Sequence, residues 1–310
     1  AGSGRVPAAV NNIVGLKPSL GSVSSRGVVP ACRTLDTLSV FAGSVEDTET
    51  VYRIMQAYDA ADSFSRPLPV AARPGAVPPG LRVGVPDAAS RKFGGDALSE
   101  AAFDAARDNL ATLLDDTMPT PVDMAPLFAV ADLLYSGPWV AERYHAVRGL
   151  IEGAPNELHP TTLKIISAAT GYSATDAFDG LYKLSDLRRE AEALWKSIDV
   201  LVVPTFPRPR TVADLDADPV GPNSELGTYT NFVNLLDLCA LAVPARFRGD
   251  GFPAGVTLIA PRGHDGLLAA IGSRLHRAAN VPIGATGMAL PPAPMPPTTA
   301  APGEIELAVV

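Results

Sequence analysis

Apolar strand-type runs alternate with amphipathic helical segments along this sequence, and this alternation limits the possible folds more than any other feature. The runs 199–204 and 255–261 are apolar and rich in β-branched residues, which is typical of buried strands. The segments 181–198 and 266–280 carry apolar residues at helical spacing. Such alternation predicts an α/β structure, in which helices pack on a central sheet.

A further strand and helix pair precedes these elements. The short run 81–86 ends in proline and is predicted to be a strand, and the segment 99–116 is predicted to be a helix capped by Ser99. The apolar residues of this helix recur at helical spacing: Phe103, Ala106, Leu110 and Leu113.

Proline divides the chain, since 30 of the 310 residues are proline against a usual share of roughly 5%. The stretch 66–80 is predicted to be a surface connection, because each proline removes a backbone donor. The stretch 287–304 is predicted to be an extended linker. Residues 305–310 have strand composition, and we interpret them as the truncated first strand of a following small domain. Residues 1–286 then form one domain.

Charge and cysteine content exclude several classes of partner. The formal net charge is −8 without a basic cluster, which argues against nucleic acid binding. No apolar run approaches the roughly 18 residues of a membrane span. Cys32 and Cys239 are far apart, which predicts neither a disulfide framework nor a zinc site and suits a reducing cytoplasm. No metal ion or organic cofactor is expected.

The beginning of the chain contains a serine between two glycines. Gly2 and Gly4 flank Ser3, and their lack of side chains allows a ligand to approach closely. Pro7 is predicted to begin a short helix whose first amides point toward Ser3. From spacing alone, an ordinary Gly/Ser turn remains the more frequent interpretation of this segment.

The stretch 1–37 resembles the second half of the amidase signature. The matching elements are Ala1-Gly2-Ser3, Arg5-Val6-Pro7-Ala8, Gly15-Leu16-Lys17-Pro18, Pro30 and Leu35-Asp36. The resemblance implies the amidase-signature fold, a mixed central sheet covered by helices on both faces. It also implies that Ser3 is the acyl-accepting nucleophile, and that the backbone amides around Ala1 and Gly2 form part of an oxyanion hole.

In that family a lysine and a second serine activate the nucleophile, and the resemblance puts both upstream of Ala1. We therefore expect residues 1–286 to be the C-terminal portion of an amidase domain that is inactive on its own. Lys17 belongs to a turn and is interpreted as structural, and Arg5 is interpreted as an anchor of the serine loop. Ordinary surface or core roles are expected for the histidines: His145, His159, His264 and His276.

A helical segment at 131–153 is interrupted by Gly137-Pro138, which permits a bend between Tyr135 and Arg143. This segment and the stretch 223–245 resemble the allophanate hydrolases within the amidase signature family. The resemblance implies that Tyr135 and Arg143 hold a small anionic substrate. It also suggests that two further residues face the pocket: Thr230 and Asn231.

The function implied is cleavage of the amide of allophanate, a carboxylated urea, with release of ammonia and carbon dioxide in urea or triazine nitrogen catabolism. The partner is then a small anionic amide, and a homodimer is compatible with this interpretation. Two alternatives remain open. One is another amidase-signature protein, such as an amidotransferase subunit, and the other is a non-catalytic fragment.

Overall fold

A seven-stranded sheet forms the centre of the computed structural model, which describes residues 2–68, 77–114 and 118–292. Its strands are β1 (Val14–Lys17), β2 (Val40–Ala42), β3 (Val83–Pro86), β4 (Thr120–Val122), β5 (Val200–Pro204), β6 (Leu238–Pro244) and β7 (Gly255–Pro261). Their order across the sheet is β2-β1-β6-β7-β5-β3-β4. Strand β3 pairs in parallel with β4 and β5, and the other neighbours are antiparallel. The sheet is therefore mixed, as predicted.

Helices connect and cover these strands. They are α1 (Val6–Val10), α2 (Val45–Met55), α3 (Ala97–Leu113), α4 (Ala125–Ser136), α5 (Trp139–Gly153), α6 (Pro160–Ser167), α7 (Ala174–Glu192), α8 (Val212–Ala217), α9 (Gly221–Leu226), α10 (Phe232–Leu235) and α11 (Asp265–Ala279). None of the helices within the described ranges combines the length and the apolar composition that crossing a membrane requires.

The sheet separates two apolar cores, because successive side chains of a strand point to opposite faces. In β5, Val200 and Val202 belong to one core, whereas Leu201 and Val203 belong to the other. Helices α2, α3 and α11 contribute to the first core, and α4, α7 and α10 contribute to the second. Helices on both faces confirm the predicted α/β architecture.

Two helix starts differ from the sequence prediction because acidic and hydroxyl side chains upstream act as caps. Helix α3 begins at Ala97 rather than at Ser99, since the Asp96 carboxylate accepts the Ser99 amide hydrogen at 2.9 Å. Helix α7 begins well before residue 181, because Ser173 and Asp176 form a reciprocal capping box. The end predicted for α3 at residue 116, residues 69–76 of the proline-rich connection, most of the linker 287–304 and the segment 305–310 lie outside the described residues.

His276 is a core residue of α11 and is 1% exposed. Neither ring nitrogen has a hydrogen-bond partner among the described residues, and burial lowers the pKa of His276 from 6.5 to about 4, although Glu46 opposes this shift. The unfolded chain takes up this proton below pH 6.5, whereas the folded chain does so only near pH 4. The protein therefore loses stability as the pH falls through this interval.

At 1.36 kcal/mol per pKa unit, this loss amounts to about 3 kcal/mol. We expect the free energy of unfolding, measured by urea denaturation at pH 6.5 and pH 4, to fall by about that much more in the native protein than in a His276→Leu variant. A His145→Leu variant, which changes an exposed histidine, should keep the native dependence. If the free energy of unfolding fell equally between pH 6.5 and pH 4 in the native and His276→Leu proteins, the lowered pKa of His276 would be contradicted.

Candidate active site

A cavity of about 930 Å³ lies where the N-terminal turn meets helices α4, α5, α6 and α9. Its polar and charged lining residues are Ser3, Tyr135, Arg143, His159, Thr161, Thr162, Asn223, Ser224 and Asn231. Its apolar wall includes Val6, Ile165, Ile166, Val220 and Leu226. The cavity therefore brings the predicted nucleophile into the same space as the predicted substrate-binding pair.

The serine sits on a tight turn that leads into α1. The amides of Arg5 and Val6 both donate to the carbonyl of Gly2, at 2.9 and 2.8 Å, and Ser3 is exposed to the cavity. Pro7 lies in the first turn of α1, as predicted from its fixed φ angle. The Val6 amide is the first of α1, and it donates to the Gly2 carbonyl and not to the Ser3 side chain, which differs from the predicted orientation. Ala1 lies outside the described residues.

Glycines let this turn pack directly on the sheet. A Cβ atom on Gly15 of β1 would overlap the carbonyl oxygen of Gly4 and would lie 2.6 Å from the Ala8 Cβ. A Cβ on Gly2 would lie 2.7 Å from the Thr230 Oγ1. Real Cβ atoms do not approach other atoms so closely, so a side chain at position 15 would displace the backbone of the turn, and one at position 2 would require the Thr230 side chain to shift. The turn thus packs against the backbone of β1 on one side and against the Thr230 side chain on the other.

Arg5 lies beneath the turn and not in the cavity. It is 0% exposed, and its Nη2 donates to the Thr230 carbonyl at 3.2 Å. Burial lowers the pKa of Arg5 to about 9. This contact ties the serine turn to the segment before α10, which is the anchoring position that the sequence suggested. Thr230 is itself fully buried and does not line the cavity, whereas Asn231 does.

The break at Gly137-Pro138 produces the predicted bend. Helix α4 ends at Ser136, and α5 begins at Trp139 with Pro138 at its N-cap. Across this break the Arg143 guanidinium carbon lies 4.6 Å from the centre of the Tyr135 ring, a cation–π arrangement. Residues eight positions apart in sequence therefore form one surface of the cavity.

The charge in this cavity is positive. Arg143 is partly buried, and no aspartate, glutamate or lysine is found among the described residues that line the cavity. Its neighbour Glu142 is engaged elsewhere, because the amide and the hydroxyl of Thr34 both donate to its carboxylate at 2.7 Å. Arg143 also lies near the buried Cys32, whose thiol has a pKa raised to about 11 by burial. The site therefore favours an anionic ligand.

Lys17, predicted from the sequence to lie in a turn, is instead the last residue of β1, and it is buried outside the cavity lining. Its Nζ donates to the Leu238 carbonyl, and its exposure is 2%. Burial, with a smaller contribution from Arg5, lowers the pKa of Lys17 to about 8. No group of three or more potential metal ligands occurs in the part of the chain that the structure describes.

One wall of the cavity was not predicted from the sequence. Helix α6 supplies Thr161, Thr162, Ile165 and Ile166, and His159 precedes it as an exposed N-cap whose Nδ1 accepts the Thr161 amide hydrogen at 3.3 Å. The sequence signal was the His-Pro pair before an apolar helix, since proline favours the first helical turn. Nothing in that signal indicated which surface the helix would face.

Comparisons with known proteins identify relatives of this chain. The chain is 42% identical over 283 residues to a urea amidolyase of Lachancea kluyveri, and the match covers 90% of this chain and 15% of that protein. It is 30% identical to a glutamyl-tRNA(Gln) amidotransferase subunit from Thermus thermophilus, with 85% of this chain and 60% of that protein covered. The chain thus spans only a part of the curated relatives that it matches.

Among solved structures, an allophanate hydrolase of Kluyveromyces lactis superimposes with a TM-score of 0.86 and 40% sequence identity, covering 90% of this chain and 45% of that one. The family model described as Amidase matches residues 1–269, which include Ser3, the bend between α4 and α5, and the complete sheet. The chain belongs to the Amidase family.

Proposed function

We propose that this chain supplies the nucleophile and the substrate-binding pair of an amidohydrolase that cleaves allophanate. The observation that carries the proposal is that Ser3 and the stacked Tyr135–Arg143 pair line one cavity without a carboxylate among its described lining residues. The similarity to a urea amidolyase and to an allophanate hydrolase supports the choice of substrate. The free thiols Cys32 and Cys239 support a cytoplasmic location.

The chemistry follows from these groups. Arg143 pairs with the substrate carboxylate through its planar fork, and the Tyr135 ring holds that guanidinium in place. The Ser3 oxygen attacks the terminal carbonyl while its proton passes to a base, the role that the family resemblance assigns to a lysine and a serine upstream of Ala1. Backbone amides around Gly2 stabilise the negative oxygen of the tetrahedral intermediate.

Collapse of this intermediate breaks the carbon–nitrogen bond while the base passes the serine proton to the leaving nitrogen, so that ammonia is released and an acyl group remains on Ser3. Water then attacks the acyl carbonyl and frees the serine. The product is an amine that carries two carboxylates, and it loses carbon dioxide without further catalysis. Arg143 is therefore the only charged side chain of this chain that the proposed mechanism uses to bind the substrate.

The test compares allophanate with biuret in the full-length protein. Biuret has a neutral carboxamide in place of the carboxylate, so it leaves the Arg143 guanidinium unpaired at a cost of about 2–5 kcal/mol. We expect kcat/KM for ammonia release to be at least about 30-fold higher with allophanate. Equal values would contradict the carboxylate assignment, and preferential hydrolysis of glutamine would favour an amidotransferase subunit.

A further inference from the structure

A second cavity, of about 570 Å³, borders the loop 33–36. It shares none of its described lining residues with the Ser3 cavity. Its walls come from the end of α7, the segments 63–66 and 234–238, and Arg262. The volume falls within the range of about 300–1,000 Å³ that is usual for small-molecule sites.

Arginine dominates the charge of this cavity. Four arginines line it: Arg33, Arg66, Arg188 and Arg262. Three carboxylates line it as well, and each has a partner. Asp237 forms a two-pronged pair with Arg66 at 2.6 and 2.8 Å, Asp36 accepts the amides of Ala31 and Cys32, and Glu192 lies 3.6 Å from Arg189.

The other arginines are not neutralised in this way. Arg33 has no carboxylate within ion-pair distance among the described residues, and its guanidinium carbon lies 5.0 Å from the centre of the Phe64 ring. Arg188 donates only to the Leu235 carbonyl, at 2.7 and 2.9 Å. Arg262 donates to the Pro67 carbonyl at 3.2 Å, and burial together with the nearby Arg66 lowers its pKa. Three of these arginines therefore line one cavity without an ion-pair partner in the part of the chain that the structure describes.

We propose that this cavity binds a small organic anion that carries carboxylate or phosphate groups. Planar guanidinium groups match both kinds of oxyanion through paired hydrogen bonds. The exposed Arg33 is held over Phe64, which reduces the side-chain freedom that binding would otherwise remove. The apolar surfaces of Phe64 and Trp195 offer contact for the body of the ligand.

The experiment is calorimetric titration of the full-length protein with citrate and, separately, with phenyl phosphate. We expect at least one of the two to bind with a Kd below about 1 mM, and the tighter one identifies the preferred oxyanion. An Arg33→Ala variant should weaken that binding at least about tenfold, because it removes one charge-assisted pair.

Two control variants test whether the loss of binding is specific to this cavity. One removes an arginine elsewhere on the surface, and the other removes an arginine of the Ser3 cavity. Arg53→Ala removes an exposed arginine of α2 that pairs with Glu49, and neither residue lines the cavity, so this variant should bind as the native protein does. Arg143→Ala should also bind normally, whatever its effect on hydrolysis. A Kd above about 1 mM for both anions would overturn the proposal. Equal weakening by Arg33→Ala and Arg53→Ala would overturn it as well.

Discussion

Replacement of Ser3 by alanine in the full-length protein is expected to lower kcat for allophanate hydrolysis by at least about 10⁴-fold. The hydroxyl oxygen forms the bond to the substrate carbonyl, and no other hydroxyl lies on the same turn. Since the substrate carboxylate is held by Arg143 on a different element, binding should change little. Steady-state release of ammonia measures kcat, and calorimetric titration of the inactive variant with allophanate measures substrate affinity.

A Ser197→Ala variant serves as the control, because that hydroxyl is exposed and donates only to the Leu194 carbonyl. It should keep the native rate. If Ser3→Ala retains more than a few per cent of the native kcat, Ser3 is not the nucleophile. If the variant also loses substrate binding, the Ser3 hydroxyl is needed for the structure of the site and its loss does not report on the chemical step alone.

The Arg143→Ala substitution should have the second-largest effect. It leaves the substrate carboxylate without its cation in a partly enclosed cavity, at a cost of about 2–5 kcal/mol. At 1.36 kcal/mol per factor of ten, kcat/KM for allophanate should fall by about 30-fold to several thousand-fold. Arg143→Lys should restore little of this loss, because an ammonium group cannot form the two-pronged contact or stack on Tyr135 in the same way.

Biuret hydrolysis provides the internal control, since a neutral substrate makes no such pair and should be affected much less. Arg148→Ala changes an exposed arginine on the same helix, which pairs only with Glu152, and should leave both reactions unchanged. An equal loss with both substrates would mean that Arg143 acts through folding or general site geometry, which would remove the main support for allophanate.

Segments with a strong local signal were predicted well from the sequence. Strand β7 occupies the predicted residues 255–261, and α11 starts one residue before its predicted range. The residues of β7 are almost all buried, and α11 buries one face, so the positions of their apolar residues directly indicate which positions face the core. The bend at Gly137-Pro138 was also predictable, because proline cannot continue a helix.

Features that depend on distant segments were not predictable. That α6 faces Ser3 depends on how the chain returns after α5, and no local pattern encodes that path. Thr230 and Asn231 are adjacent polar residues and both are buried, yet Thr230 lies against Gly2 and Asn231 lines the cavity. The arginines of the second cavity come from four separate stretches, so their charge looks scattered in the sequence.

The glycine contact between Gly15 and Gly4 has a consequence for how such a site changes over time. The turn that carries the proposed nucleophile contacts β1 through main-chain atoms, and the buried Arg5 that anchors it lies outside the cavity. The surfaces opposite the turn are formed by side chains of α5 and α6, which belong to separate helices. Substitutions can therefore reshape the substrate wall while the reacting atom stays where it is, so that substrate preference can diverge without loss of the underlying chemistry.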